Sequence, residues 1–241
     1  MKIIELLKQK QSDINGNKAI TIAFLRDSVT QGCFECYLTS PDSLETVFDY
    51  KSAYPTRVKE MLNFLYPSVQ INVINAGISG DFAASGLNRL EKDVLAYSPD
   101  LVVVSYGLND SCQGGGVENY GKALGEIFKR ISATGAESIF LTQNYMCQKT
   151  SPHLRDDLFI RLSKQFADIQ NGGVLEEYFT EAKKQCQKHG VRICDVRSAW
   201  GKLSDGGVNV AELLANKLNH PVREIHYYTA IKLIETIFDI S

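Results

Sequence analysis

Hydrophobic positions along this chain fall into two alternating patterns. Ala19–Leu25 (AITIAFL), Val69–Ile74 (VQINVI), Leu101–Ser105 (LVVVS), Ser138–Leu141 (SIFL) and Val191–Val196 (VRICDV) are short apolar runs rich in β-branched residues. Near-continuous runs of this kind read as strands covered on both faces of a parallel sheet. Between them the apolar residues recur at helical spacing. Thr56–Leu65 carries Val58, Met61, Leu62 and Leu65; Phe82–Tyr97 carries Leu87, Leu90, Val94 and Leu95. Tyr120–Ala133 carries Leu124, Ile127, Phe128 and Ile131. Val174–His189 carries Leu175, Tyr178, Phe179, Ala182 and Cys186, and stops at Gly190, a helix-ending residue. Pro221 suits a first helical position, so a last helix is expected from there to about Phe238. Ile3, Ile4, Leu6 and Leu7 lie in a charged segment that reads as a short amphipathic helix rather than a signal peptide.

Five strands alternating with helices predict an α/β protein: a three-layer α/β/α sandwich around a doubly wound, five-stranded parallel sheet. Residues 1–241 read as one domain, because no linker, repeat or low-complexity stretch interrupts them. Two longer stretches, Gly32–Pro55 and Asn144–Asp157, read as irregular loops, which in compact domains are often functional. Ligands of this architecture bind at the carboxyl ends of the strands, so the residues just after each strand are the ones to inspect.

Composition narrows the class. The chain has 44% hydrophobic and 22% charged residues, which excludes a disordered chain, a collagen and a coiled coil. A net charge of −2 gives no electrostatic hold on nucleic acid or an acidic membrane. No apolar run approaches the ~20 residues of a membrane span. With no signal-peptide stretch at the start, a cytoplasmic location is expected, and in a reducing compartment the six scattered cysteines read as free thiols.

After the first strand comes Arg26-Asp27-Ser28-Val29-Thr30-Gln31-Gly32, and after the second Asn75-Ala76-Gly77-Ile78-Ser79-Gly80-Asp81. After the third comes Tyr106-Gly107-Leu108-Asn109-Asp110, and near the C-terminus Leu218-Asn219-His220-Pro221. A serine, a glycine turn, an asparagine and a histidine would converge on one sheet edge. Acyl transfer needs such a set: a nucleophile, a base for its proton, and amide donors for the developing oxyanion.

These four segments resemble the SGNH hydrolases, the GDSL esterase family. That family carries Gly-Asp-Ser, then a glycine, then Gly-x-Asn-Asp, then Asp-x-x-His-Pro. Here the matches are Asp27-Ser28, Ser79-Gly80, Gly107-Leu108-Asn109-Asp110 and His220-Pro221, in the same order, over residues 20 to 238. The resemblance implies a flavodoxin-like sandwich and a serine esterase. Ser28 is the implied nucleophile and His220 the general base; Gly80, Asn109 and the Ser28 amide are the oxyanion donors. It implies no metal and no cofactor. The implied partner is a small-molecule ester, and short acyl groups on carbohydrates are the expected class. An activity limb is expected near the ordinary histidine pKa of ~6.5.

Two positions depart from the family pattern. Arg26 replaces the glycine before Asp27, where it would strain the turn or place a cation beside the site. Lys217 stands where an acid is expected three residues before the histidine. A plain Ser-His dyad, a backbone carbonyl, Asn216 or an acid from elsewhere are the open alternatives for orienting His220. These departures also motivate a second reading, a non-catalytic ligand-binding module. A general acyl esterase, lipase or thioesterase is the broader enzymatic one, and a flavin or nucleotide binder rests on fold alone.

Other residues have plainer readings. Asp27 and Asp110 brace their turns, and His226 packs on the last helix. His189 sits in a helix's last turn, where the dipole favours a cation. His153 is a loop residue that could line the cleft. Gly114-Gly115-Gly116 fits no phosphate-binding motif and reads as a rim loop. Cys33-x-x-Cys36 is a lone pair, read as two thiols. Phe48, Tyr50 and Tyr54 either pack the first long loop onto the body or form a sugar-stacking wall.

Overall fold

The central sheet of the computed structural model, which describes residues 1–113 and 115–240, explains why the strand signals are continuous. Its strands are β1 (Ile20–Arg26), β4 (Ile71–Gly77), β5 (Leu101–Ser105), β6 (Glu137–Leu141) and β7 (Arg192–Cys194). They lie in the order β4-β1-β5-β6-β7, all parallel. In β1, Ile20, Ile22 and Phe24 enter one core, and Ala23 and Leu25 enter the other. In β5, Leu101 and Val103 oppose Val102 and Val104 in the same way. Side chains alternate along a strand, so a strand covered on both faces must be apolar at every position.

The first core is closed by α1 (Lys2–Ser12), α3 (Tyr54–Leu65) and α10 (Arg223–Phe238). The second is closed by α4 (Ala83–Asp93), α6 (Val117–Ala133) and α8 (Val174–His189). The chain leaves β1 to one side for β4 and then crosses to the other for β5. The topological switch point, where such folds place ligands, is therefore at β1.

The structure corrects several boundaries. Gly32–Pro55 is not irregular. It holds an antiparallel hairpin, β2 (Cys33–Ser40) and β3 (Ser43–Phe48), turning through Pro41 and Asp42. Its strands are largely exposed, so no apolar alternation marks them. Asn144–Asp157 does remain irregular up to α7 (Asp157–Asn171). That helix escaped the pattern because its buried face mixes Phe159 and Ala167 with Ser163 and Gln170. The structure adds three short helices: α2 (Ser28–Gln31), α5 (Leu108–Gln113) and α9 (Arg197–Asp205). The second strand lies later than expected, because β4 is an edge strand whose middle is only half-buried. The last helix starts at Arg223, two residues past Pro221. Gly114, read as part of the rim loop, lies outside the described residues.

Candidate active site

At the carboxyl end of β1 the chain turns into α2. Asp27 caps this helix, its Oδ1 accepting the Val29 amide at 3.0 Å. Ser28 is thereby the first helical residue, and its own N–H has no intrahelical acceptor. The turn leans directly on β4: a Cβ at Gly77 would overlap the Gln31 amide and lie 2.9 Å from the Asp27 carbonyl oxygen. Only glycine permits that approach. The strand-end segment contains Gly77, but only the backbone contact reveals its role.

His220 arrives on a turn organised by Asn216. The Asn216 Oδ1 accepts the amides of Leu218, Asn219 and His220 at 3.0, 2.9 and 3.0 Å. Lys217 takes a left-handed conformation (φ 59°) and sends its Nζ outward to Glu212 at 2.8 Å. The imidazole Nε2 lies 3.0 Å from Ser28 Oγ, and Nδ1 lies 3.1 Å from the carbonyl oxygen of Phe34 in β2. Of the alternatives for Nδ1, the structure therefore selects a backbone carbonyl. A carbonyl only accepts, so Nδ1 carries the proton and the bare Nε2 faces the serine hydroxyl.

Ser28 and His220 are 5% and 6% exposed. Burial pushes His220 down to about 4; the Phe34 carbonyl works against this and the Arg26 charge adds to it. The neutral, proton-accepting form thus dominates well below the limb expected near 6.5.

Gly80 follows β4 with φ 77°, in open space. Its carbonyl accepts Gln113 Nε2 at 3.0 Å. Asn109 follows β5 and spends one Nδ2 hydrogen on the Asp81 carbonyl at 2.9 Å, leaving the other free to donate. Asp110 braces both loops by accepting the Ala83 and Gly107 amides at 3.0 and 2.9 Å, and burial pushes its carboxyl up to about 6. Beneath these lies a trio that the sequence does not announce. The Asp81 carboxylate accepts Tyr106 Oη at 2.7 Å and Arg89 Nε at 2.9 Å, while Arg89 Nη2 donates to the Arg26 carbonyl at 3.0 Å.

Arg26 is extended and its backbone is not in the left-handed region, so it strains nothing. Its side chain is buried, with Nε 3.1 Å from Asp27 Oδ1 and Nη2 donating to Asn144 Oδ1 at 3.3 Å. Asn144 Nδ2 in turn holds the Asn219 carbonyl at 2.9 Å, one residue before His220. Burial raises the Asp27 carboxyl and the Arg26 charge pulls it back.

The remaining candidates lie apart. His226 is buried, accepts the Tyr54 amide at 3.2 Å, and is pushed down to about 3 by burial. Burial also lowers His189, against the cationic form read from its helix end. His153 is exposed, 3.9 Å from Glu212. Cys33 and Cys36 are free thiols. The aromatic group divides: Tyr54 packs into the core, while Phe48 and Tyr50 stack on each other, 43% and 57% exposed. A cavity of about 540 Å³ opens beside Asp110 and Gln113, but neither Ser28 nor His220 lines it. Among the described residues no group of three or more His, Cys, Asp or Glu could hold a metal ion, and no helix is long and apolar enough to cross a membrane.

Residues 27–227 match the model of the GDSL-like lipase/acylhydrolase family. Over 89 residues, 37% of the chain, it is 33% identical to an acetylxylan esterase of Geobacillus stearothermophilus. Over 122 residues, 50% of the chain, it is 27% identical to an arylesterase of Vibrio mimicus. The chain spans 39% and 60% of the length of these two relatives. A two-domain esterase active on acetylated mannans superposes with a TM-score of 0.70 at 18% identity, over 98% of this chain and 52% of that one. An acetyl xylan esterase, AlAXEase, gives 0.66 at 18% identity, over 90% of this chain and 100% of that one. At these identities the two structures show a shared fold.

Proposed function

This chain belongs to the GDSL-like lipase/acylhydrolase family, and we propose from that premise that it is a serine esterase acting on short-chain, acetyl-type esters. The observation that carries the reading is the 3.0 Å contact between Ser28 Oγ and a His220 Nε2 left bare by its tautomer. In the proposed reaction His220 takes the Ser28 proton as Oγ attacks the ester carbonyl. The Ser28 amide, the Gly80 amide and Asn109 Nδ2 receive the tetrahedral oxyanion. The intermediate collapses, His220 returns the proton to the leaving alcohol, and an acyl-enzyme remains. Water, deprotonated by the same histidine, then releases the acid. The residues that act are this chain's own; no step draws on a metal or cofactor.

Carbohydrate O-acetyl groups are the proposed substrate class. The names of the acetylxylan esterase relative and of the neighbour active on acetylated mannans support it, as does a nearly buried Ser28 that favours a small acyl group. Residues 1–241 serve this as one domain, with two cores against a single sheet. Nucleic acid has no part in it. We place the activity in the cytoplasm, where the free thiols would stay reduced.

The test is initial-rate hydrolysis of p-nitrophenyl acetate, butyrate and octanoate, followed by acetylated xylo-oligosaccharides, against Ser28→Ala. Rates that fall with chain length and vanish in the variant support the proposal. Equal turnover by the variant overturns it. Failure of a fluorophosphonate to label Ser28 would favour the ligand-binding module instead.

A further inference from the structure

The acid that would orient His220 is absent from its turn, yet the carbonyl that replaces it is not left to an unsupported strand. Arg223 opens α10, three residues after His220, and reaches back over β2. Its Nη1 and Nη2 donate to the two carboxylate oxygens of Glu35 at 2.6 and 3.1 Å, and its Nε donates to Asp49 Oδ2 at 2.9 Å. The guanidinium carbon lies 4.3 Å from the centre of the Phe34 ring. Phe34 is fully buried, its ring also 4.7 Å from that of His226. Asp49 is tied to the nucleophile side as well, its amide donating to the Gly32 carbonyl at 2.8 Å.

We propose that Arg223, with Glu35, is the positioning residue of the catalytic histidine: it clamps the Phe34 carbonyl at the distance and angle that hold the His220 Nδ1–H. The inference rests on the esterase reading of Ser28 and His220. One short segment carries both the histidine and the arginine, so ring and carbonyl are held to the same backbone. The donor geometry suits the task. A guanidinium fork engages a carboxylate through two parallel bonds and stacks on an aromatic face, which fixes orientation as well as distance. Isolated exposed ion pairs contribute little, but a bidentate pair joined to a second carboxylate and a ring is the arrangement in which they do. The arginine lowers the Glu35 carboxyl and holds Asp49 down at about 2, favouring the charged form of both.

The experiment compares the unaltered chain with Arg223→Gln, Arg223→Lys and Glu35→Gln. It reads kcat and KM on p-nitrophenyl acetate, the thermal midpoint, and the low-field Nδ1–H resonance of His220. A misplacement near 1 Å costs up to about 10²-fold in rate, so Arg223→Gln and Glu35→Gln are expected to lower kcat roughly 10–100-fold with KM unchanged. Arg223→Lys, which keeps the charge without the fork, is expected to recover part of the loss. The His220 resonance should shift or vanish in the two glutamine variants. A lowered thermal midpoint with unchanged kcat and an unchanged resonance would overturn the proposal, leaving the clamp as a hairpin anchor only. If the unaltered chain shows no Ser28-dependent turnover, the esterase reading fails by itself. The resonance then still decides whether Arg223 controls the Phe34–His220 bond. Should Arg223→Gln not fold, Glu35→Gln keeps the Arg223–Asp49 pair and carries the same readouts.

Discussion

The imidazole Nδ1 of His220 hydrogen-bonds the carbonyl oxygen of Phe34 at 3.1 Å, in place of the acid expected from an Asp-x-x-His-Pro pattern. A carbonyl fixes the tautomer as a carboxylate would, but it brings no negative charge to the imidazolium formed during proton transfer. With the buried Arg26 charge nearby, the cost of charging this histidine is set mainly by desolvation.

The pH dependence follows. Since His220 is held down to about 4, the acid limb of kcat/KM is expected near pH 4 rather than near 6.5. His226, held down to about 3, stays mainly neutral through that limb. Both folded-state values are depressed, so between the unfolded value of ~6.5 and these values the unfolded chain binds more protons. Stability should therefore be complete above about pH 6.5 and decline as pH falls toward 3–4. A pH–rate profile and thermal midpoints at several pH values check both; an activity limb near 6.5 would count against the buried, carbonyl-supported histidine.

Installing the missing acid should not help. Lys217 already has the left-handed backbone that aspartate tolerates, but Nδ1 is occupied by Phe34. Lys217→Asp is expected to leave kcat unchanged, and a large rise would mean that an acid can displace the carbonyl.

Arg26→Gly restores the family residue yet removes one partner of a buried ion pair, Arg26 and Asp27 being only 2% and 1% exposed. Removing one member of such a pair costs about 3–5 kcal/mol, a fall of roughly 10 °C in thermal midpoint for a chain of this size. Activity is expected to fall with it, because Asn144 loses the guanidinium that faces it. A thermal scan with parallel rate measurements checks this, and a gain in activity would contradict it.

Asn109→Ala removes a proposed oxyanion donor. Loss of one such donor typically costs about 10²–10³ in kcat. KM should move little. A loss below about tenfold would place the oxyanion elsewhere.

Gly77→Ala should act on Ser28 from the neighbouring strand. The added methyl would meet the Gln31 backbone, so α2 is expected to shift. Slower fluorophosphonate labelling of Ser28 and a fall in kcat of up to about 10²-fold are expected. Unchanged labelling would show that β4 gives way instead.

Much was legible in the sequence, for identifiable reasons. Strands buried on both faces must be apolar at successive positions, so β1 and β5 announce themselves. The residues after those strands, read with the C-terminal His-Pro, carried the family. The hairpin β2–β3 was hidden because its exposed strands have no one-sided apolar pattern, and α7 because polar side chains share its buried face.

By itself, then, the sequence determined the fold class, the family, and a serine and histidine 192 residues apart as candidates for one site. Only the tertiary structure decided that Phe34 supplies the acceptor for Nδ1, that Arg26 turns inward to Asp27 and Asn144, and that Arg223 grips the strand carrying the Phe34 carbonyl. The reason is physical. Every residue carries the same carbonyl, so a main-chain acceptor leaves no mark on the residue that provides it. Burial and its effect on a charge arise from distant segments packed around the group, and no local pattern of side chains records that sum.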